Sequence, residues 1–329
     1  MANFKVYITD FDYPDNDIEK SILEPIGAEV IGLQCRDGRE LESLAPDADA
    51  LIVQYAKVRK GAIESMSSLK VIARYGIGMD IVDTKAAAEH GVICTNVTDY
   101  CSDEVADHNI SLIFMLARQI PMFVAETKKG KWHWSETGRP VNRFKNLTLG
   151  SIAFGRIAQN MCRKLKAFGF NIIVYDPHLD HRIADELGVR SVDKETLLQE
   201  SDVVCLQCPY LPETHHIIGE PELRMMKNNA ILINCSRGKL VDNNALYTAL
   251  TQGWIASAGL DDPEEEPAKM FDWTPDMNPL FRLDNCFITP HVAYYSEESL
   301  IDARSIAALN VKAVLTGKEP PNRVPASQV

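Results

Sequence analysis

Residues 147–177, LTLGSIAFGRIAQNMCRKLKAFGFNIIVYDP, read in order as strand, turn, helix and strand. The apolar run Ser151 to Phe154 predicts the first strand, Arg156 to Phe168 the helix, and Asn171 to Tyr175 the second strand. Two strands joined by a helix of this length form a parallel crossover, the repeating unit of α/β folds. The turn, Ala153-Phe154-Gly155-Arg156-Ile157-Ala158, keeps the middle glycine of the GxGxxG dinucleotide fingerprint and an accepted alanine at its third position. Ala153 stands where that fingerprint has its first glycine. Gly155 lets the backbone approach a pyrophosphate, whose charge the amides of Arg156 and Ile157 at the helix N-terminus receive. Asp176 closes the next strand about 20 residues on, where an acid accepts hydrogen bonds from an adenosine ribose and repels a 2′-phosphate. The pattern therefore predicts NAD as cofactor, in preference to NADP. A surface aspartate before a proline turn is the plainer alternative for Asp176 taken alone.

The same alternation runs outward in both directions. Toward the C-terminus, strands are predicted at Asp202 to Leu206, Ala230 to Asn234, Ile255 to Gly259 and Cys286 to Thr289, with helices at Lys194 to Glu200, Pro221 to Met226 and Asn243 to Gln252. Toward the N-terminus, strands at Phe4 to Thr9, Glu29 to Leu33, Ala50 to Gln54, Lys70 to Arg74 and Val92 to Asn96 alternate with helices at Asp17 to Leu23, Gly61 to Met66 and Asp83 to His90. Between the two series a strongly apolar helix runs to Ala117, with Ser102 or Asp103 able to cap it. Residues 128–146 follow as a polar connection whose Trp132 and Trp134 suit a subunit contact. A final helix, Ser296 to Leu315, is expected to return to the first domain. The fold class is thus α/β with two doubly wound parallel-sheet domains, a flavodoxin-like substrate-binding domain (1–100 plus 296–329) and a Rossmann NAD-binding domain (101–295), in a discontinuous arrangement.

Composition narrows the function classes. With 46% hydrophobic and 24% charged residues the chain has ordinary globular composition, and a net charge of -12 argues against a nucleic-acid binder, which needs clustered Lys and Arg. No apolar stretch approaches the roughly 20 residues of a membrane span, and no signal peptide is read at the N-terminus. Eight cysteines in 329 residues do not form a disulfide framework; Cys94, Cys205 and Cys286 fall within apolar runs and read as reduced, buried thiols of a cytoplasmic protein. The CxxC at Cys205 and Cys208 closes a strand rather than opening a helix and has no second pair, so no metal is expected. His178 and His181, and the aspartates Asp10, Asp12, Asp15 and Asp17, read as solvated turns.

Three strand ends in the last third carry the candidate chemistry: Arg237 after ILIN, Glu266 after IASAGL, and His291 after CFIT. Each segment breaks from apolar to polar residues as a parallel strand does at the carboxyl edge of its sheet, where ligands bind. Singly, each residue has a bland reading as a surface ion pair, a solvated loop acid or a structural histidine. Together beside a nucleotide signature they suit reduction of a 2-keto acid. A planar guanidinium holds a carboxylate in two bonds, and a carboxylate-paired histidine supplies a proton.

These residues carry a resemblance. RYGIGMDIVD (74–83), YCSDEVADHNISLIFMLAR (100–118), LTLGSIAFGRIAQ (147–159), CPYLPETHHII (208–218), INCSRGKLVD (233–242), GLDDPEEEP (259–267) and TPHVAYYSEES (289–299) resemble the D-isomer-specific 2-hydroxyacid dehydrogenases in family order. VQYAKV and HVAYYSEES are most similar to the C-terminal binding protein-like branch. The resemblance implies an NAD-dependent oxidoreductase interconverting a D-2-hydroxy acid and its 2-keto acid, a homodimer, and substrate held in the cleft between two domains. It implies Arg237 on the substrate carboxylate, His291 as proton donor or acceptor, and Glu266 paired with His291. It implies cofactor contacts from Gly155, Arg156, Ile157, Asp176, Cys208, Pro209, Thr214, Cys235, Arg237 and Asp261. Substrate contacts are expected from Ile77 and Gly78, with Gln54, Tyr55 and Tyr294 shaping the pocket. The branch resemblance also carries an alternative, an NAD(H)-responsive binding or scaffold protein similar to the corepressors of that branch. The chain departs from the family pattern in four places: Ala153, Gln54-Tyr55 in place of an Arg-Ser pair, Tyr294 in place of a tryptophan, and a lengthened stretch from Glu266 to His291 whose Phe271 and Trp273 are candidates to line the cleft.

Overall fold

The computed structural model describes residues 3–35, 38–137, 139–267, 270 and 272–325. Two compact units divide the chain, Met1–Tyr100 with Tyr295–Val329, and Cys101–Tyr294. In chain order the first unit holds β1 (Phe4–Ile8), α1 (Asp17–Leu23), β2 (Ala28–Gly32), α2 (Leu41–Leu44), β3 (Ala50–Val53), α3 (Lys60–Ser65), β4 (Val71–Arg74), α4 (Thr84–Glu89) and β5 (Ile93–Thr95). The second holds α5 (Ser102–Ala117), α6 (Ile120–Lys128), β6 (Thr148–Ile152), α7 (Arg156–Lys166), β7 (Asn171–Tyr175), α8 (His181–Glu186), β8 (Arg190–Ser191), α9 (Lys194–Glu200), β9 (Val203–Leu206), α10 (Glu220–Met225), β10 (Ile231–Asn234), α11 (Asn243–Gln252), β11 (Ser257–Leu260) and β12 (Cys286–Ile288). The final helix, α12 (Glu297–Leu315), belongs to the first unit.

The first unit's sheet runs β2-β1-β3-β4-β5, all parallel. Its central strands are apolar at nearly every position because helices cover both faces. Alternation then sorts side chains between two cores. Ala50 and Ile52 of β3 pack in the cluster that includes Ala307 and Val311 of α12, while Leu51 and Val53 pack with Leu41 and Ile63 on the other face. Helix α12 starts with a reciprocal capping box, Ser299 N donating to Ser296 Oγ and Ser296 N to Ser299 Oγ, both at 2.9 Å. It is held to α1 by a buried fork: Arg304 Nε donates to Glu19 Oε1 at 2.9 Å and Nη2 to Glu19 Oε2 at 2.8 Å. The Tyr75 hydroxyl also donates to Glu19 Oε1 at 2.7 Å. The helix that returns across almost the whole sequence thus completes the first sheet's core.

The second sheet runs β12-β11-β10-β9-β6-β7-β8, again all parallel. Strand order reverses at β6 and β9, so the carboxyl edge beside β6 is the topological switch point at which such sheets bind ligands. β6 ends at Ile152, two residues earlier than its apolar run suggests, because Ala153 turns into the left-handed region at φ 72°. Helix α8 and the two-residue β8 escape the sequence pattern because they are short and largely exposed; His181 opens that helix, under an Asp180 cap, rather than lying in a solvated turn. Helix α6 escapes it too, since none of its residues is buried and Pro121 sits in its first turn. No single helix among the described residues is long and apolar enough to cross a membrane, and all eight cysteines are buried free thiols.

Arg304→Met would leave the carboxylate of Glu19, itself 0% exposed, without its guanidinium. Removing one partner of a buried pair typically costs about 3–5 kcal/mol, and the midpoint of urea unfolding is expected to fall accordingly.

Candidate active site at the carboxyl edge of the seven-stranded sheet

The turn after β6 is built on strain and one acid. Ala153 takes φ 72°, a region that glycine favours. It is held there by Ala153 N donating to Tyr175 O at 2.8 Å and by Ser151 Oγ donating to Ala153 O at 2.7 Å. Asp176, half-buried at the end of β7, accepts from Phe154 N through Oδ2 and from His178 N through Oδ1, each at 2.8 Å. Gly155 is the N-cap of the 11-residue α7 and has no side-chain cap hydrogen bond. A Cβ built there would meet nothing within 4 Å, so the space beside the start of the helix is open. That open, positively polarised helix end fits a pyrophosphate.

The next strand ends line the same edge. Beyond β9, Cys208 is buried and its thiol is pushed up to about 11 by burial. Thr214 ties the following loop, its Oγ1 donating to Pro209 O and accepting from Leu211 N, both at 2.8 Å. Beyond β10 the buried Asn234 shapes the turn that presents Arg237, donating from Nδ2 to Arg237 O at 2.8 Å and accepting from Ser236 N at 3.1 Å. Cys235 is buried there and its thiol is pushed well up by desolvation. Gly238 has no room for a side chain: a Cβ would lie 2.1 Å from Pro263 O. This contact presses the arginine turn against the PEEEP loop that follows β11.

Asp261, 3% exposed, clamps the loop beyond β12. Its Oδ1 accepts from Thr289 Oγ1 at 2.5 Å and from Val292 N at 2.9 Å, and its Oδ2 from Ala293 N at 2.7 Å. Its carbonyl accepts from His291 N at 2.7 Å. These bonds hold His291 at φ 56°, and Glu266 is likewise left-handed at φ 53°. The expected pairing of Glu266 with His291 is corrected here. The carboxylate beside the ring is that of Asp262, with Oδ2 3.1 Å from His291 Nδ1, whereas Glu266 Oε2 accepts from Lys239 Nζ at 3.2 Å. The physical reason lies in the close packing at Gly238, which brings the neighbouring Lys239 cation to the PEEEP loop. The Tyr294 ring stands 6.1 Å from that of His291 at 71°.

β10, β11 and β12 are neighbours about 5 Å apart, so Arg237 and His291 emerge from strand ends roughly 10 Å apart along one edge. In the lengthened stretch, Glu265 accepts from Asn243 Nδ2 at 3.0 and 3.1 Å and from Asn278 Nδ2 at 3.0 Å. Trp273 packs on Phe281 with ring centroids 5.0 Å apart, and Phe271 lies outside the described residues. No group of three or more His, Cys, Asp or Glu among the described residues could hold a metal ion.

The first unit repeats the clamp at the end of its own sheet. Asp10 is corrected from a solvated turn to a fully buried carboxylate, accepting from Tyr55 N at 2.7 Å, Ala56 N at 3.1 Å, Gln54 N at 3.3 Å and Thr9 Oγ1 at 2.7 Å. Burial pushes it above the ordinary carboxylate range, and these hydrogen bonds pull it back. The Gln54 side chain is engaged by Asp12, accepting from its amide at 2.9 Å and donating to its Oδ2 at 3.2 Å. After β4, Ile77 O accepts from Asn96 Nδ2 at 2.8 Å and Gly78 O accepts from Arg74 Nη1.

Comparison with known proteins agrees with this architecture. The family model described as D-isomer specific 2-hydroxyacid dehydrogenase, NAD binding domain, matches residues 110–293. The chain is 40% identical over 284 residues to a glyoxylate reductase of Thermococcus litoralis, covering 84% of each chain. It is also 40% identical over 321 residues to a D-3-phosphoglycerate dehydrogenase of Methanocaldococcus jannaschii, covering 95% of this chain but only 58% of that longer relative. A D-lactate dehydrogenase of Aquifex aeolicus, solved with NAD and lactic acid, superposes with a TM-score of 0.88 at 29% identity, covering 97% of this chain and 98% of that one.

Replacing Ala153 by glycine relieves a left-handed alanine at φ 72°. A gain of about 1 kcal/mol is expected, read as a higher thermal midpoint.

Proposed function

The chain belongs to the D-isomer-specific 2-hydroxyacid dehydrogenases, and we propose that it reduces a small 2-keto acid to the D-2-hydroxy acid with NADH, and catalyses the reverse with NAD. One observation carries this reading: the neighbouring parallel strands β10, β11 and β12 deliver a guanidinium, a carboxylate and an imidazole in turn to the edge that also bears an open helix N-terminus. Gly155, Arg156 and Ile157 would hold the cofactor's pyrophosphate, and Asp176 its adenosine ribose. Cys208, Pro209, Thr214, Cys235, Arg237 and Asp261 line the edge along which the remainder would lie. The bound dihydronicotinamide supplies the hydride.

The chain's own residues do the rest. Arg237 takes the substrate carboxylate in charge-assisted hydrogen bonds and polarises the keto oxygen. As that oxygen gains negative charge, His291 gives it the imidazolium proton; in the reverse direction the neutral ring accepts it. Glu266, engaged by Lys239, stands on the loop after β11 beside the turn that presents Arg237. On the first unit, Gln54, Tyr55, Ile77 and Gly78 are proposed as substrate-side groups, and Tyr294 as a neighbour of the reacting histidine. Gln54 is uncharged where a phosphate-binding member would need a cation, which favours unphosphorylated acids such as glyoxylate.

The protein is also proposed to act as a homodimer. Helix α6 and the segment after it expose Ile120 at 50%, Val124 at 46%, Trp132 at 87% and Trp134 at 78%, apolar side chains that a second copy of the chain would cover. The double variant Trp132→Ser, Trp134→Ser is expected to sediment as a monomer where the unaltered chain sediments as a dimer; two identical sedimentation profiles would count against this surface.

Oxidation of NADH with glyoxylate, hydroxypyruvate, pyruvate and larger keto acids tests the activity, and a protein that binds NADH yet turns over none of them would overturn it. His291→Asn is expected to lower kcat by about 10²-fold or more while NADH still quenches tryptophan fluorescence at the same concentration.

A further inference from the structure

We propose that Asp262 is a positioning residue for this reaction, its buried carboxylate holding the Nδ1 proton of His291 so that Nε2 is the atom that exchanges a proton with substrate. The inference rests on reading His291 as the acid, and adds the group that makes it one in this chain. Asp262 is 5% exposed. Its Oδ2 lies 3.1 Å from His291 Nδ1 as an ion-pair contact, and both atoms are buried with no hydrogen-bond partner in this conformation. A carboxylate in that position is costly unless a cation or a donor faces it, and the imidazole is what faces it. Seen from the ring, the same contact orients the imidazole and favours the tautomer with hydrogen on Nδ1.

Two consecutive aspartates divide the work. Asp261 spends its carboxylate on the backbone and hydroxyl of the His291 loop, at Thr289, Val292 and Ala293. Asp262, pointing the other way from the strand end, is left for the ring. The acid that the family pattern sets against the histidine, Glu266, is instead engaged by Lys239 at 3.2 Å. The groups facing the ring are Asp262 from the end of β11 and Tyr294 from its own loop. Behind them, His108 of α5 reaches to 3.8 Å from Asp261 Oδ1.

The test compares Asp262→Asn, Asp262→Glu, Glu266→Gln and His291→Asn in the full chain, with glyoxylate and NADH as the probe reaction. For Asp262→Asn, kcat is expected to fall by about 10²-fold with the dissociation constant for NADH within about twofold. Asp262→Glu, which keeps the charge, should recover at least about tenfold of the loss. The proposal is overturned if Asp262→Asn keeps kcat within about threefold of the unaltered chain, or if Asp262→Glu recovers none of the loss. It is equally overturned if both Asp262 variants lose NADH binding, since the residue would then be supporting the fold rather than the ring. An inactive His291→Asn beside an unaffected Asp262→Asn overturns this inference alone, whereas an active His291→Asn overturns the acid–base reading beneath it. A larger loss of kcat from Glu266→Gln than from Asp262→Asn, at unchanged NADH affinity, returns the pairing to Glu266.

Discussion

A parallel sheet leaves a problem at its carboxyl edge: the loops that leave it turn sharply, and their amides lose the ladder that satisfied them inside the sheet. In this protein an aspartate at the end of a strand answers that problem at three places. Asp10 accepts from the backbone of residues 54–56, Asp176 from Phe154 and His178, and Asp261 from Val292, Ala293 and the Thr289 hydroxyl. In each case the acid at one strand end fixes the loop that leaves the neighbouring strand. Because ionised carboxylates are acceptors only and make strong bonds to backbone N–H groups, they suit loops that offer several donors and little else.

That arrangement is what permits backbone strain where chemistry is expected. Ala153, Glu266 and His291 all sit at positive φ, a conformation that costs a non-glycine residue of order 1 kcal/mol or more. Two of the three lie beside a clamped loop: Ala153 precedes the amide that Asp176 holds, and His291 is bracketed by Thr289 and Val292 on Asp261. The clamp at Asp261 sets the direction in which the imidazole leaves the chain and so brings it against Asp262. Gly238 contributes differently, by having no side chain where the arginine turn meets Pro263.

Much of this was legible in the chain. Asp17–Leu23, Asn171–Tyr175, Lys194–Glu200 and Asn243–Gln252 fold over the residues that periodicity marks, because local pattern and tertiary burial agree there. The strand ends bearing Arg237 and His291 were legible for the same reason: an apolar run that stops is a buried strand reaching an edge. Helix α6 was not, since it buries no residue and so has no apolar stripe to read. Asp10 looked like one more acid in an acidic loop, and only the pairing of β1 with β3 shows it facing three unpaired amides.

The sequence by itself determined the fold class, the open turn at Gly155 with Asp176 beyond it, and the strand ends from which cation and imidazole emerge. These depend on residue type and spacing along one chain, and the hydrophobic period that encodes them is local. Which acid meets the imidazole was decided by the tertiary structure alone. Asp262 and Glu266 are four residues apart on one loop and chemically near-equivalent. The choice between them turns on the left-handed backbone at Glu266, the contact of Gly238 with Pro263, and the cation of Lys239 drawn from another strand end. Ion pairing acts over a few ångströms in space, and no spacing in the sequence encodes such a distance.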